Sequence, residues 1–168
     1  MIEIKDKKNC VGCTACAEIC PKKCIQMKPD EEGFLYPVVD KSRCVECNAC
    51  NTVCPIQSPV DEKEKLQKAY LVQHCDEKVR LDSSAGGAFT AIATVVLQKG
   101  GVVFGAAYDE NFHVQHTYIE AVDELKKFRN SKYVQSELGD AFCLVKSFLQ
   151  KGRWVCFCLL YTSDAADD

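Results

Sequence analysis

Short runs of alternating apolar and polar residues mark the strands of this chain. Residues 25–28 and 34–39 flank a turn-forming segment, 29–33, in which Gly33 supplies a permissive backbone conformation. Residues 102–108 and 113–119 flank a second polar turn. The pattern therefore predicts two β-hairpins.

Longer segments have the spacing of helices. Residues 91–97 form an apolar helix that ends before two glycines, and residues 121–128 carry the spacing of a surface helix. Residues 137–150 place their apolar side chains on one face. Two further runs, 69–73 and 154–157, are predicted to be strands. Helices and strands thus follow one another in the second half of the chain.

A charged segment with few apolar residues separates the two halves. Residues 58–65 have this composition, which is typical of a linker. We therefore predict a first domain over residues 1–59, a linker over 60–68 and a second domain over 69–157.

The first domain contains an internal repeat of cysteines. Residues 10–21 and 44–55 each fit the pattern C-x2-C-x2-C-x3-C-P, and the second copy starts 34 residues after the first. Three cysteines at intervals of three let a short loop present three thiolates to one face of an iron–sulfur cube. In the two-cluster bacterial arrangement, the fourth cysteine of each run binds the other cluster.

This arrangement assigns four cysteines to each of two [4Fe–4S] clusters. The first set is Cys10, Cys13, Cys16 and Cys54, and the second set is Cys44, Cys47, Cys50 and Cys20. Zinc is a poorer fit because it prefers two separated pairs of ligands. Disulfides are a poorer fit because they need an oxidising compartment. A motif copy that no longer binds a cluster usually lacks some of its cysteine ligands, and none is missing here. Residues 1–59 resemble the two-cluster bacterial ferredoxins.

Two cysteines near or beyond the repeat have simpler interpretations. Cys24 follows the first motif and is expected to pack as a small apolar residue near a cluster, with a ligand or redox role as the alternative. Cys75 stands among polar neighbours and is expected to be a free surface thiol.

Composition narrows the function classes. The formal charge is -3 with no basic patch, which argues against a nucleic-acid partner. No apolar run approaches the ~20 residues of a membrane span. The chain has thirteen cysteines, and its N-terminus is polar and shows no export signal. This combination predicts metal chemistry in a reducing cytoplasm.

The segment before the helix at 91–97 is a candidate anion site. Serine hydroxyls and glycines at a helix N-terminus suit a phosphate, while capping and close packing are the plainer alternative. The polar segment 129–136 is either a loop or one wall of a cofactor pocket. The residues that would line that pocket are Lys132, Tyr133 and Gln135.

Residues 69–157 resemble the beta subunit family of coenzyme F420 hydrogenases and dehydrogenases. The stretches that carry the resemblance are 83–91, 104–110 and 127–140. The resemblance implies an iron–sulfur flavoprotein in which a flavin such as FAD passes electrons between clusters and a hydride carrier, in several members coenzyme F420. It places the flavin phosphate at Ser84, Gly86, Gly87 and Thr90, with Lys132 and Tyr133 nearby.

The end of the chain departs from that family. Residues 158–168 resemble the translated end of a sequencing adapter and have no packing logic, so we expect them to be an artefact and Cys158 to have no role. The reading frame is then expected to be truncated, and the fragment to be inactive alone.

The sequence thus predicts an α+β protein: a two-cluster ferredoxin-like module followed by the start of an α/β flavoprotein domain. The predicted function is an oxidoreductase that relays electrons from redox partners through two clusters to or from a flavin. The alternatives are a soluble two-cluster electron carrier whose second domain docks to partner proteins, and a second domain that is a scaffold without flavin.

Overall fold

The computed structural model describes residues 1–59 and 68–158. The chain divides into two compact units, Met1–Gln67 and Lys68–Asp168. In its described residues each unit is mixed α/β with one small sheet, two-stranded in the first and three-stranded in the second. Within the described residues, no helix has the length and apolar character needed to cross a membrane.

The described part of the first unit contains a short 3-10 helix (Lys7–Asn9), two one-turn helices and a hairpin. Helix α1 spans Ala15–Ile19 and helix α2 spans Ala49–Val53. Strands β1 (Ile25–Pro29) and β2 (Leu35–Val39) pair antiparallel, with Ile25 opposite Val39. The hairpin predicted from the alternating pattern is therefore confirmed.

The second unit is built around a central strand. Its elements are α3 (Glu77–Leu81), α4 (Ala88–Gln98), β3 (Val102–Tyr108), β4 (Val114–Ile119), a 3-10 helix (Val122–Lys127), α5 (Ala141–Gln150) and β5 (Val155–Phe157). The strand order is β4-β3-β5, with β3 antiparallel to β4 and parallel to β5. The second hairpin, the helix after residue 87 and the last strand are confirmed.

Strand β3 is covered on both faces. Val103 and Ala107 pack with Ala93, Val96 and Leu97 of α4 in one apolar cluster. On the opposite face the side chains of β3 meet α5, and that second cluster contains Val102, Phe104, Ala141 and Phe148. Alternate side chains of a strand point to opposite faces, so α4 and α5 cover the sheet from two sides.

Three predicted elements differ from the structure. Residues 69–73 form no strand; Leu71 is fully exposed, and the backbone pairs with another segment through His74 N–H and Gly86 O, 2.7 Å apart. Helix α5 starts at Ala141 because Glu137 instead bridges β4. The segment at 121–128 is a 3-10 helix rather than an α-helix. Periodicity cannot detect these tertiary backbone contacts.

The same turn closes both hairpins. An aspartate opens each turn, and its carboxylate accepts the backbone N–H groups two and four residues later. Asp30 does so at 3.0 and 3.1 Å, and Asp109 does so at 2.8 Å in both contacts. The fourth turn residue is left-handed in each case, with φ of 89° at Gly33 and 62° at Phe112.

Candidate metal centres

The cysteine repeat is also a repeat of backbone conformation. In the first loop Gly12 and Thr14 have φ of 62° and 60°, and in the second loop Glu46 and Asn48 have φ of 51° and 63°. Only glycine adopts this region without steric cost, and asparagine tolerates it better than most residues. Non-glycine residues are thus held left-handed in both copies. Left-handed residues within a turn can create backbone concavities that suit anions, including thiolates.

Each loop feeds a one-turn helix that carries the third cysteine. Cys16 is the second residue of α1, and Cys50 is the second residue of α2. Each helix ends just before the fourth cysteine of its motif, Cys20 or Cys54, whose N–H bonds back to the helix at 3.3 or 3.2 Å. A proline follows each of these cysteines; it lacks an N–H and fixes φ, so the helix does not continue.

The cysteines of the two motifs meet in two cavities rather than staying with their own motif. Cavity A, about 370 Å³ and partly open to solvent, takes Cys54 from the second motif beside Cys10, Cys13 and Cys16 from the first. Its apolar walls include Ile2, Ile4, Met27, Pro37 and Ile56.

Cavity B is the counterpart with the motifs exchanged. It measures about 350 Å³ and takes Cys20 from the first motif beside Cys44, Cys47 and Cys50 from the second. One more cysteine, Cys24, lines it. Each cavity therefore contains one set of four cysteines in the crossed arrangement of the two-cluster pattern.

The interior of the first unit consists largely of these sulfurs. In its described part, the buried apolar cluster is Ile2, Cys16, Cys20, Cys24, Ile25 and Cys50. Four of those six residues are cysteines, and only two are aliphatic. A core of this kind has little apolar side chain to bury on its own.

Burial and crowding of the thiols change their acidity. Burial, together with the neighbouring Cys13 and Cys10 sulfurs, raises the pKa of the Cys16 thiol to about 11. Burial also acts to raise the pKa of Cys20, but hydrogen bonds from the Cys24 backbone and thiol hold it below its ordinary value. A cationic metal core would offset this crowding, since metal ligation needs thiolates.

The donor sets fit [4Fe–4S] clusters. Each cavity holds four motif cysteines, and cavity B has Cys24 in addition; a cluster takes one thiolate on each of its four irons. Among the described residues, no three His, Cys, Asp or Glu side chains come close enough to hold a single metal ion. Ligands of a four-iron cluster bind separate irons, so they do not converge on a single point.

The predicted flavin residues lie in the second unit. The Ser84 hydroxyl donates to Asn130 Oδ1 at 2.9 Å, and Arg129 pairs with Asp82 at 3.1 Å. Two contacts thus join the loop before α4 to the segment 129–136. Gly87, with φ of 80°, is the residue that precedes α4. No side chain caps α4, whose N-cap residue is Gly87, and Ser83 Oγ donates to the Val79 carbonyl instead.

The other predicted flavin residues have contrasting environments. Thr90 and Lys132 are buried, whereas Tyr133 is exposed. Lys132 Nζ donates to the Lys127 and Arg129 carbonyls at 3.2 and 2.9 Å, and burial lowers its pKa. A Cβ at Gly86 would lie 2.1 Å from the Val72 carbonyl oxygen, so this glycine serves close backbone packing.

Cys158, expected to have no role, is the last described residue, and residues 159–168 lie outside the described part. Its N–H donates to Phe104 O at 3.0 Å and so continues the pairing of β5 with β3. Its carbonyl contacts His116 Nε2 at 3.1 Å. Most of the predicted linker, residues 60–67, also lies outside the described part.

Two cysteine-lined cavities are the geometry expected of a two-cluster iron–sulfur domain, and comparison with protein families identifies such a domain. Residues 9–58 match the family model of the 4Fe-4S dicluster domain. A ferredoxin-type dicluster domain is therefore present at the N-terminus, and it indicates iron–sulfur electron transfer. Comparison with curated proteins finds no match to the chain. The resemblance of residues 69–157 to the F420-linked family stays a prediction.

Proposed function

We propose that this protein is an iron–sulfur flavoprotein oxidoreductase whose first unit holds two [4Fe–4S] clusters. The observation that carries the two-cluster part of the proposal is the exchange of one cysteine between the motifs in cavities A and B. The proposed ligands of the first cluster are Cys10, Cys13, Cys16 and Cys54, and those of the second are Cys44, Cys47, Cys50 and Cys20. When bound, each cluster supplies a one-electron redox couple.

The chain's own contribution is placement and exclusion of water. Because each motif supplies a ligand to the other cavity, the positions of the two cavities depend on both motifs. Apolar residues such as Ile2 and Ile25 are buried beside the sulfurs. Apolar walls of this kind limit solvent access, which is one of the factors that set cluster potential.

Single cysteine-to-serine variants test the crossed ligand sets. We expect Cys54→Ser to perturb the cluster held by the first motif, and Cys20→Ser to perturb the cluster held by the second. Each variant would be purified without oxygen, and its iron content and electron paramagnetic resonance spectrum would be compared with those of the unmodified protein. Cys75→Ser is the matched control, because Cys75 is an exposed cysteine of the second unit.

Comparison of pairs of variants distinguishes crossed ligand sets from uncrossed ones. Under the crossed arrangement, Cys54→Ser and Cys10→Ser alter the same signal, while Cys20→Ser alters the other one. If Cys54→Ser and Cys44→Ser altered the same signal instead, each motif would hold its own cluster and the proposed ligand sets would be wrong.

The flavin in the proposal, with FAD as the candidate, belongs to the second unit. Its support is the resemblance of residues 83–91, 104–110 and 127–140 to the F420-linked family, which also suggests a hydride carrier such as coenzyme F420. The contact of Ser84 with Asn130, which joins the first and third of these stretches, is consistent with one shared site. Free amides at the start of α4 would suit a phosphate.

Flavin binding separates this proposal from its alternative. We expect FAD added to the protein to bind with its fluorescence quenched, and Ser84→Asp to weaken that binding by charge repulsion while iron content stays unchanged. Ser58→Asp, at an exposed serine of the first unit, is the control. Clusters without any flavin binding would favour the alternative, an electron carrier whose second unit docks to partner proteins.

A further inference from the structure

A ninth cysteine of the first unit lies against one predicted ligand. Cys24 Sγ is 3.4 Å from Cys20 Sγ, and Cys24 is 4% exposed. Both residues line cavity B. The separation is within hydrogen-bonding range for sulfur, and a thiol is a weak donor.

The backbone holds Cys24 in this position. Its carbonyl oxygen accepts the Asp40 N–H at 2.8 Å, which fastens Cys24 to the end of the β1–β2 hairpin. The preceding residue, Lys23, is left-handed with φ of 46°, and its N–H bonds to Cys20 O at 3.1 Å. The chain therefore folds back after Cys20 and carries the Cys24 side chain inward to cavity B.

The internal repeat offers a comparison for this position. The residue 34 positions after Cys24 is Ser58, just as Cys54 lies 34 positions after Cys20. Ser58 is exposed and is not among the residues that line cavity A. The two cavities thus match in their four crossed cysteines and differ in this extra thiol.

We propose that Cys24 is a positioning residue for redox tuning: its thiol donates a hydrogen bond to the Cys20 sulfur and raises the reduction potential of the cluster in cavity B. This inference rests on the proposed ligand sets. Cavity B already holds four cysteines for four irons, so the fifth sulfur stays a thiol. A donor to a ligand sulfur stabilises the more negatively charged, reduced cluster.

The two clusters, which are otherwise similar, should therefore differ in reduction potential. An added electron resides preferentially in cavity B, the side with the thiol. The net contribution of one hydrogen bond corresponds to a change of a few-fold to about tenfold in an equilibrium constant, here the constant for reduction of the cluster. For a one-electron couple, tenfold corresponds to about 59 mV.

The test is a redox titration of Cys24→Ala by voltammetry on the full chain with its clusters bound. We expect one of the two couples to move to a more negative potential while the other stays in place. The shift should be at most about 59 mV, which corresponds to about a tenfold change in the equilibrium constant for reduction. Cys24→Ser keeps a donor and should recover part of the shift. Ser58→Ala, at the repeat-equivalent position, should move neither couple.

Three results would overturn the proposal. The first is two unchanged couples in Cys24→Ala with both clusters bound. The second is loss of half of the iron in this variant, which would make Cys24 necessary for holding the cluster. The third is an equal shift of both couples. Failure of the proposed function would be visible separately, as an unmodified protein that binds no cluster.

Discussion

The two units of this protein are stabilised by different interiors. In the described part of the first unit, sulfur atoms occupy most of the buried positions, and aliphatic residues contribute only Ile2 and Ile25. In the second unit, aliphatic and aromatic side chains from α4 and α5 cover both faces of β3. From this difference we predict that the first unit depends on bound metal for its fold, whereas the second unit has an apolar core of its own.

Removal of iron is the strongest way to separate the two units. We expect a chelator under reducing conditions to abolish the protection of first-unit amides against hydrogen exchange, because the cysteine core has little else to bury and metal binding is coupled to folding. Protection in the second unit should persist. Hydrogen exchange followed by mass spectrometry measures both units in one sample.

Two results bear on this prediction. Restoring iron and sulfide should return the lost protection, which serves as the control for irreversible damage. Full protection of the β1–β2 amides in the iron-free protein would show that the first unit folds without metal, and the contrast between the two interiors would then be wrong.

A cavity in the aromatic core should act only on the second unit. Phe104 is fully buried, and its ring contacts Tyr118, Phe148 and Phe157 at centroid distances of 5.5, 6.1 and 5.6 Å. We expect Phe104→Ala to lower the free energy of unfolding of this unit by about 3–5 kcal/mol. Denaturant titration followed by the fluorescence of Trp154, the sole tryptophan, measures the change.

The matched control for that variant is Phe112→Ala, because Phe112 is 83% exposed. Its effect should be much smaller than that of Phe104→Ala. Iron content should be unchanged in both variants. Iron loss in Phe104→Ala would mean that the second unit supports the cluster domain, which would weaken the comparison.

The smallest effects are expected at the turns, where the two units are alike. Gly33 and Phe112 occupy equivalent left-handed positions, and a side chain costs roughly 1–2 kcal/mol there. We expect Gly33→Ala to destabilise the first unit by about 1 kcal/mol, measured by cluster absorbance. Phe112→Gly should stabilise the second unit by less than about 1 kcal/mol, because glycine also favours the unfolded chain. Stability changes of the same sign in Gly33→Ala and Phe112→Gly would show that the two turns are not equivalent.

The elements that periodicity predicted correctly depend on local contacts. Both hairpins have apolar alternation and turn residues that agree, so sequence and tertiary structure favour the same pairing. The strand predicted at 69–73 is wrong: the segment forms no ladder, and the adjoining residue His74 donates its N–H to Gly86 O. Helix α5 starts later than predicted because Glu137 is held beside β4. No local pattern contains those contacts.

Cysteine spacing along the chain determined that the first unit is an iron–sulfur domain and which eight residues are the candidate ligands, because three thiolates on one loop are a local property. The crossing of the fourth cysteines was also predicted from the two-cluster pattern, and the tertiary structure brings those residues together in cavities A and B. The tertiary structure decided the environment of Cys24, which in the sequence is one more cysteine outside the repeat. A sulfur becomes a neighbour of a ligand only when the Lys23 turn and the Asp40 hydrogen bond bring it there, and such contacts are a property of the folded backbone.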